Sequence, residues 1–346
     1  MNNLVPSVSK IGNDVLHTET EPTFNGWDIP DEVALELIDI FFSKIQPILP
    51  IMHRPLFYDR FTQLEEQTRR LVSRRESSQD AAFMIEGIFA LTARFSKAAI
   101  FHNSLVLDRG QVFANKAAAI KDDIIKTIEE PTLDFVKGCT ILAFYYVVSG
   151  RLTAGSLLTS VCVRFAYDLG LDKVDEDQSL DDRTYGGEEA GYSDAWLRRE
   201  ELRRLWWSIW DLDTFVATLS RQPYAIERGG MKVLLPVSDQ QWFSGVPIRS
   251  SLLEGEPLNL WRSLQGSPNR NPRAWYLVSN YLMSCIAVAG RKQPRISAVK
   301  KLELESALCC LKLALPASFQ LRSLYLDDQT SVDGNWIIST HLMIIA

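Results

Sequence analysis

The stretch ELRRLWWSIWDLDTFVATLS occupies residues 201–220 of a 346-residue chain. On a helix of about 3.6 residues per turn, its aliphatic residues follow a 3,4,3,4,3 spacing along one face. These residues are Leu202, Leu205, Ile209, Leu212, Val216 and Leu219. Trp206 and Trp210, one turn apart, widen this apolar stripe, whereas Arg204, Ser208 and Asp211 are predicted to face solvent. The pattern therefore predicts a long amphipathic helix.

Two residues depart from this simple pattern. Trp207 lies toward the polar side, one turn after Arg203, so a guanidinium stacked on an indole ring is expected there. Asp213 projects into the middle of the apolar stripe. A buried carboxylate without partners costs several kcal/mol, so Asp213 needs an arginine, backbone N–H donors or a ligand. Arg221, just past the helix, is the nearest candidate in sequence.

Three interpretations of this stretch remain open. The first is a buried helix in which Asp213 ties the following loop in place, and it is favoured because aromatic stripes at helical spacing usually form core. The second is an effector pocket formed by Trp206, Trp210 and Asp213. The third is direct DNA contact through Arg198, Arg199, Arg203 and Arg204. The interleaved Glu200 and Glu201 disfavour the third.

The bulk composition limits the function classes. The chain is 46% hydrophobic and 23% charged, which is typical of a globular protein and excludes wholesale disorder. Its formal net charge of −6 excludes a nucleic-acid binder that acts through a bulk basic excess. The longest apolar run, 139–148, is about half the length needed to span a bilayer, and the N-terminus lacks the pattern of a secretory signal. We expect no membrane partner.

Motifs for catalysis, cofactors and metals are not found. The sequence contains no GxGxxG, GxxxxGK[ST], HExxH or GxSxG motif. Its cysteines form no CxxC pair, and its four histidines are widely separated. We therefore predict no catalytic residues, no cofactor-binding residues and no metal ligands, and we predict that the chain is not an enzyme.

The pattern along the chain predicts an all-α fold, with one large multi-helix domain and no significant sheet, because period-2 alternation is nearly absent. Residues 1–28 are predicted to be a flexible N-terminal tail and residues 29–346 the domain. The acidic segment 172–194 is predicted to be a mobile, solvated insertion. The pairs Arg69-Arg70 and Arg74-Arg75 are interpreted as a weak nuclear-import signal or, preferentially, as a solvated helix face.

Residues 201–226, followed by VLLP at 233–236, closely resemble the fungal-specific transcription factor domain, the middle homology region of fungal zinc-cluster regulators. FFSKIQPILPIMHRPLF at 41–57 resembles the first segment of that family, and residues 135–171 resemble its two central helices. ALCCLKLALPASF at 307–319 matches more weakly. The resemblance covers about residues 30–346. The residues that carry it, mostly structural in role, are His53, Arg54, Pro55, Gly170, Arg203, Arg204, Trp206, Trp207, Asp213, Arg221 and Pro223.

The resemblance implies a nuclear regulator of transcription that acts through its helical domain, with other transcription regulators or a second copy of itself as partner. Promoter DNA is expected to be reached only indirectly or through a missing module. A metabolic or biosynthetic gene set is the expected target. The alternative function is a small-molecule effector-sensing module that modulates a partner transcription factor.

This sequence departs from the family pattern at several places. Family members bind zinc through an N-terminal cluster of six cysteines, which is absent here, so we expect no zinc cofactor and no DNA-binding module in this chain. The chain also stops where the family usually continues, so a natural short form or a truncated gene model is expected. Within the motifs, Asp172 replaces a common histidine, Ser220 a common glycine, and Gln222 separates Arg221 from Pro223.

Overall fold

The computed structural model describes residues 26–65, 68–176, 190–292, 297–319, 321 and 331–345. Helices dominate these residues, and the prediction of an all-α fold is confirmed. The helices are α1 (Asp31–Ile40), α2 (Arg54–Phe61), α3 (Gln79–Thr92), α4 (Gln111–Ile125), α5 (Leu133–Val148), α6 (Leu152–Asp168), α7 (Ala190–Ser220), α8 (Asp239–Phe243), α9 (Pro272–Lys292), α10 (Ala298–Ala314) and α11 (Ser331–Ile345). A π-helical turn, Phe41–Ile45, extends α1.

A small hairpin interrupts the helical pattern. Strands β1 (Thr62–Glu65) and β2 (Thr68–Leu71) pair antiparallel. Arg69 and Arg70 therefore lie on β2, so their preferred assignment to a helix face was wrong, and Arg74 and Arg75 lie in the turn that follows. Arg70 Nη1 donates to Glu65 Oε2 at 2.7 Å across the hairpin. Strands of four residues are too short to show an alternating pattern in sequence.

Caps at the helix ends explain several element boundaries. The hydroxyl of Ser78 accepts from the Ala81 N–H at the start of α3, and Thr132 accepts from the Phe135 N–H at the start of α5. Gly170, with φ of 65°, adopts the left-handed conformation just past α6, a position at which helices commonly end on glycine. These caps fix where α3, α5 and α6 begin or end.

Helices α3 and α5 form the centre of the core. They approach closely at Gly138, because a β-carbon at that position would lie 2.6 Å from the ring of Phe83. Residues 81–92 of α3 are all buried, as are residues 134–143 of α5. Such all-round burial is typical of a central helix. Helix α4 packs on α3, α6 packs on α5, and α7 contacts both α5 and α6, whereas α9 contacts α10 and α11.

The folded region begins earlier than the sequence suggested. The side chain of Trp27 is 1% exposed, its Nε1 donates to the Val72 carbonyl at 2.9 Å, and its ring packs edge-on against Phe89. The predicted flexible tail was therefore wrong for residues 26–28, because an indole with a satisfied N–H is stable inside the core. The rest of the predicted tail, 1–25, lies outside the described residues.

The acidic segment 172–194 is also partly folded. Leu171–Lys173 forms a 3₁₀ turn, Asp175 is buried, and the last five residues of the segment belong to α7. The prediction of a solvated insertion was wrong for Asp175, because an arginine partner compensates its burial. Residues 177–189 lie outside the described part of the chain.

Candidate functional site

Helix α7 is buried on nearly all sides in its middle part. Trp206 and Trp207 are fully buried, and so are Arg204 and Ser208, which were predicted to face solvent. The wheel of a single helix could not anticipate that the second face of α7 is also covered. Leu219, assigned to the apolar stripe, is instead 52% exposed near the end of the helix.

Arg203 is held by a carboxylate that precedes it by 28 residues. Its Nε donates to both oxygens of Asp175 at 3.0 and 2.9 Å, and its Nη2 donates to Oδ1 at 2.6 Å. Nη1 donates to Glu200 Oε2 at 3.4 Å. Burial opposes the charge, yet Asp175 and Glu200 together raise the pKa of Arg203. The carboxylates of Asp175 and Glu200 therefore bind the Arg203 guanidinium. The predicted stacking of this guanidinium on Trp207 was wrong.

Arg204 is also fully engaged. Its Nε donates to Glu200 Oε1 at 3.0 Å, and its other nitrogens donate to Asp239 and to the Val237 carbonyl. The guanidinium lies 4.3 Å from the ring centroid of Trp242. We call Asp175, Glu200, Arg203 and Arg204 the α7 network. A charge-assisted network of this kind rigidifies a buried site when every member is satisfied.

The α7 network holds the segment 233–237, which contains the VLLP motif. The N–H of Leu234 donates to Asp175 Oδ2 at 2.8 Å, and its carbonyl accepts from Trp207 Nε1 at 2.8 Å. The Val237 N–H donates to Glu200 Oε1 at 2.9 Å. Two motifs that are separate in sequence therefore form one hydrogen-bonded unit.

Amide side chains complete the binding of this extended segment. Asn269 and Asn271 donate to the Pro236 carbonyl at 3.1 and 3.0 Å, and Asn271 also donates to the Val237 carbonyl at 2.9 Å. A buried extended segment outside a sheet needs such partners, because its backbone groups cannot reach water. The structure thus explains why a proline-containing motif lies beside the tryptophan-rich helix.

Asp213 ties the loop after α7 to the helix. Its Oδ1 accepts from the Ala225 N–H at 3.0 Å, and its Oδ2 accepts from the Ile226 N–H at 3.1 Å and from Arg228 Nη2 at 2.6 Å. Burial raises the pKa of Asp213, and Arg228 and the two N–H groups oppose that rise. This geometry matches the interpretation of a buried helix in which Asp213 ties the following loop in place. The predicted partner was wrong, because Arg221 is exposed and the loop brings Arg228 back instead.

The predicted effector pocket is only partly assembled. Asp213 borders a cleft of about 430 Å³ between α6 and α7, together with Thr159 and Pro223. Trp206 and Trp210 do not border this cleft, because their rings lie inside the core. Their indole Nε1 atoms have no hydrogen-bond partner within the described parts of the chain. Effector binding at these three residues stays a prediction.

The motif residues His53, Arg54 and Pro55 lie at the start of α2. His53 caps α2, since its Nδ1 accepts from the Leu56 N–H at 3.2 Å. Its Nε2 lies 3.2 Å from the Trp242 carbonyl. Burial lowers the pKa of His53, which favours the neutral form of the ring. Arg54 lies over the ring of Tyr58 at 5.7 Å, and Pro55 stands in the first turn of the helix.

A second buried polar group between α7 and α9 was missed from the sequence. Asp211 accepts from the Tyr276 hydroxyl at 2.9 Å and from Asn280 Nδ2 at 2.8 Å. Arg273 Nη2 donates to Ser208 Oγ at 3.0 Å, and burial lowers the pKa of Arg273 to about 10. Arg273 lies 65 residues after Ser208, and Tyr276 lies 65 residues after Asp211. The polar positions of α7 were the available signal, but they were assigned to a solvent face.

The site offers no metal centre in the described regions. No group of three or more His, Cys, Asp or Glu side chains in them could hold a metal ion, and the five cysteines are all free. Within the same regions, no helix is both long enough and apolar enough to cross a membrane.

The comparisons with known proteins identify the family. Residues 38–289 match the Fungal specific transcription factor domain, which is well over half of the chain, and the chain belongs to that family. The family is one of transcription factors, not of enzymes. The predicted resemblance is confirmed over that range. No solved structure matches the chain.

Three curated fungal proteins are similar to the chain. The tropolone cluster transcription factor of Talaromyces stipitatus is 19% identical, over 66% of this chain and 37% of its own length. A transcription factor of Emericella nidulans is 24% identical, over 64% of this chain and 30% of its own. An uncharacterized transcriptional regulatory protein of Schizosaccharomyces pombe is 23% identical, over 84% and 34%. The chain thus spans about a third of the length of these relatives.

Proposed function

We propose that this chain is a regulatory domain of a nuclear transcription regulator, and that it acts through contacts with other proteins rather than by reading DNA. One observation supports the statement that the chain does not read DNA. Arg203 and Arg204 are each 1% exposed, and their guanidinium groups are taken up by carboxylates and a carbonyl. Phosphate binding would require these cations to be free. The net charge of −6 works in the same direction.

The proposed targets are a set of metabolic or biosynthetic genes. Support comes from a relative named as a tropolone cluster regulator. The proposed partners are other transcription regulators or a second copy of the chain, and promoter DNA is reached through them. We also propose that the residues of this sequence do not themselves form a DNA-binding module.

A tethering experiment tests the regulatory half. The chain is fused to an unrelated DNA-binding module whose site lies upstream of a reporter, and the module alone is the control. The fusion is expected to change reporter output in either direction. Deletion of the gene, followed by transcript profiling, is expected to alter a defined group of metabolic genes. Unchanged output in both experiments would contradict the proposal.

A binding experiment tests the DNA half. The purified chain is titrated with promoter fragments at physiological salt, and no sequence-specific binding is expected. Arg199→Ala is the matched control, because Arg199 is half-buried and does not line the cleft between α2, α5 and α7. This variant should leave reporter output unchanged. Specific, zinc-dependent DNA binding by the chain alone would overturn the absence of direct DNA contact, as would loss of reporter output in Arg199→Ala.

A second candidate function is effector sensing, which the cleft beside Asp213 favours. Arg228, the ion-pair partner of Asp213, lies 4.5 Å from the ring centroid of Trp210. A ligand that disturbs the Asp213–Arg228 pair would therefore change the fluorescence of Trp210. A saturable response to apolar metabolites is expected, and Asp213→Asn should remove it while far-UV circular dichroism stays the same. If the variant unfolds, Asp213 serves the core alone.

A further inference from the structure

A second cleft lies between α2, the start of α5 and the first half of α7. It consists of two adjoining cavities of about 500 and 280 Å³ that share the same floor. The residues common to both are Leu56, Arg60, Asp134, Lys137 and Glu201. We call it the charged cleft. It is separate from the cleft beside Asp213, with which it shares no lining residue.

The floor of the charged cleft carries alternating charges. Arg60 donates to both oxygens of Asp134, at 3.3 and 2.6 Å. Lys137 Nζ donates to Glu201 Oε1 at 2.5 Å. Asp134 and Lys137 lie one turn apart on the same face of α5. The shared floor therefore carries two ion pairs side by side, and the walls add Asp194 and Arg198 at the outer cavity and Asp59 at the deeper one.

The inner pair of groups has unused hydrogen-bonding capacity. The Lys137 side chain is 6% exposed, and an ammonium carries three N–H donors. Within the described residues, Glu201 Oε1 is its one hydrogen-bond partner, and Glu201 Oε2 has none. The Glu201 side chain is 20% exposed, so its second oxygen is accessible from the cleft. The unused N–H donors of Lys137 and the unused acceptor oxygen of Glu201 belong to side chains that line the cleft.

The deeper cavity adds apolar walls. Met52, Phe57, Phe61 and Met84 line it. His53 also lines it but contributes no free polar atom, because its Nδ1 is used by the Leu56 N–H and its Nε2 lies against the Trp242 carbonyl. An apolar group fits this end of the cleft, beside the charged floor. Its volume of about 280 Å³ is close to the lower end of small-ligand sites, roughly 300–1,000 Å³.

We propose that the charged cleft binds a free α-amino acid with an apolar side chain. The ligand carboxylate is bound by Lys137, with Arg60 at the rim, and the ligand ammonium is bound by Glu201 and Asp134. The apolar side chain enters the deeper cavity. The two ion pairs of the floor suit a zwitterion, because a simple anion or a simple cation that displaced one member of a pair would leave the other member without a counter-charge.

The position of Glu201 connects this site with the rest of the domain. Glu201 directly follows Glu200 on α7, and Glu200 belongs to the α7 network that binds the Val237 N–H. A ligand that takes over the partners of Glu201 therefore acts on the helix that holds the segment 233–237. This proposal goes beyond the effector-sensing candidate, which lies at the cleft beside Asp213, and it concerns binding, which can be measured without any regulatory readout.

Isothermal titration calorimetry of the purified chain at pH 7 tests the ligand class. L-phenylalanine, L-leucine and L-methionine are the probes. N-acetyl-L-phenylalanine lacks the ammonium, and 2-phenylethylamine lacks the carboxylate. We expect saturable binding of at least one amino acid, and binding at least tenfold weaker for both phenylalanine analogues. Absence of saturable binding by all three amino acids at millimolar concentration overturns the proposal, and so does equal affinity for an analogue.

Variants test the site. Lys137→Met and Glu201→Gln are each expected to weaken binding at least tenfold. The matched control is Lys121→Met, since Lys121 on α4 is also mostly buried and paired, at 2.5 Å to Asp122, but does not line the cleft. Arg60→Gln is a second test that does not disturb the core, because Arg60 is 59% exposed. It should weaken binding at least threefold. Unchanged affinity in folded Lys137→Met or Arg60→Gln protein overturns the site. Reporter activity that persists without binding leaves the regulatory role intact.

Discussion

Arg203 and Asp175 form an ion pair in which both side chains are 1% exposed, although 28 residues separate them in sequence. Asp175 also accepts from the Leu234 N–H, so one carboxylate joins α7 to two distant segments of the chain. Bidentate arginine–carboxylate geometry provides strength and orientation together. The tryptophan-rich helix is therefore fixed by charges inside the core, where DNA cannot reach them.

Removal of either partner of this pair should destabilise the domain strongly. Arg203→Met leaves Asp175 buried and charged without its partner, and Asp175→Asn leaves Arg203 with only its longer contact to Glu200, so each variant is expected to cost about 3–5 kcal/mol. Urea denaturation followed by circular dichroism measures the loss. The double variant Asp175→Leu/Arg203→Met should recover part of it, because no unpaired charge remains. Single variants within about 0.5 kcal/mol of the native protein would contradict the burial of this pair.

The loop after α7 should depend on Arg228 and not on Arg221. Arg228→Met removes a charge-assisted hydrogen bond to Asp213 and is expected to cost about 1.5–3 kcal/mol. Arg221→Ala should change the free energy of unfolding by less than about 0.5 kcal/mol, because Arg221 is exposed. Denaturation of the two variants side by side checks both statements. A larger loss for Arg221→Ala would restore the partner suggested by the sequence.

The contrast between Arg221 and Arg228 shows what the sequence could predict. The helical period placed Asp213 inside the apolar stripe, because that placement depends on local geometry alone. The choice of Arg228 as its partner depends on the path of the loop, which no local pattern specifies. Ser208 was assigned to solvent for a related reason. A helix wheel shows one apolar face, but it cannot show that α9 brings Arg273 to the opposite face.

The charged cleft was hidden from the sequence for the same physical reason. Lys137 and Glu201 lie 64 residues apart, and each is an ordinary charged residue in a helical pattern. Packing of α5 against α7 brings them together. The hairpin at 62–71 was missed because its strands are short and mostly polar. The all-α class, by contrast, followed from the helical period over most of the chain.

Replacement of Arg221 by glycine should stabilise the domain. It has φ of 53°, the left-handed conformation that ends a helix and that a β-carbon disfavours. Arg221→Gly is expected to stabilise the domain by up to about 1 kcal/mol. Arg221→Ala keeps the β-carbon and is the matched control with no gain. A thermal midpoint that rises for alanine as much as for glycine would show that the arginine side chain, rather than the backbone conformation, carries the effect.

Glu86 on α3 is a buried carboxylate with an unusual environment. Its side-chain Oε2 has no hydrogen-bond partner among the described residues. Burial raises the pKa of Glu86 from 4.5 to about 7, although the charges of Lys116 and Arg74 oppose this rise. The carboxyl group therefore releases its proton less readily in the folded protein than in the unfolded chain.

The free energy of unfolding should consequently fall as the pH rises from about 5 to about 7. Since the folded pKa lies above the unfolded one, the contribution of Glu86 is complete below pH 4.5 and is lost through pH 7. The loss is on the order of 3 kcal/mol. Urea denaturation at pH 5 and pH 8 measures it. Glu86→Gln should flatten the pH dependence and stabilise the domain at pH 8, whereas Glu305→Gln, at an exposed position on α10, should do neither. A steep pH dependence that survives in Glu86→Gln would assign the titration to another group.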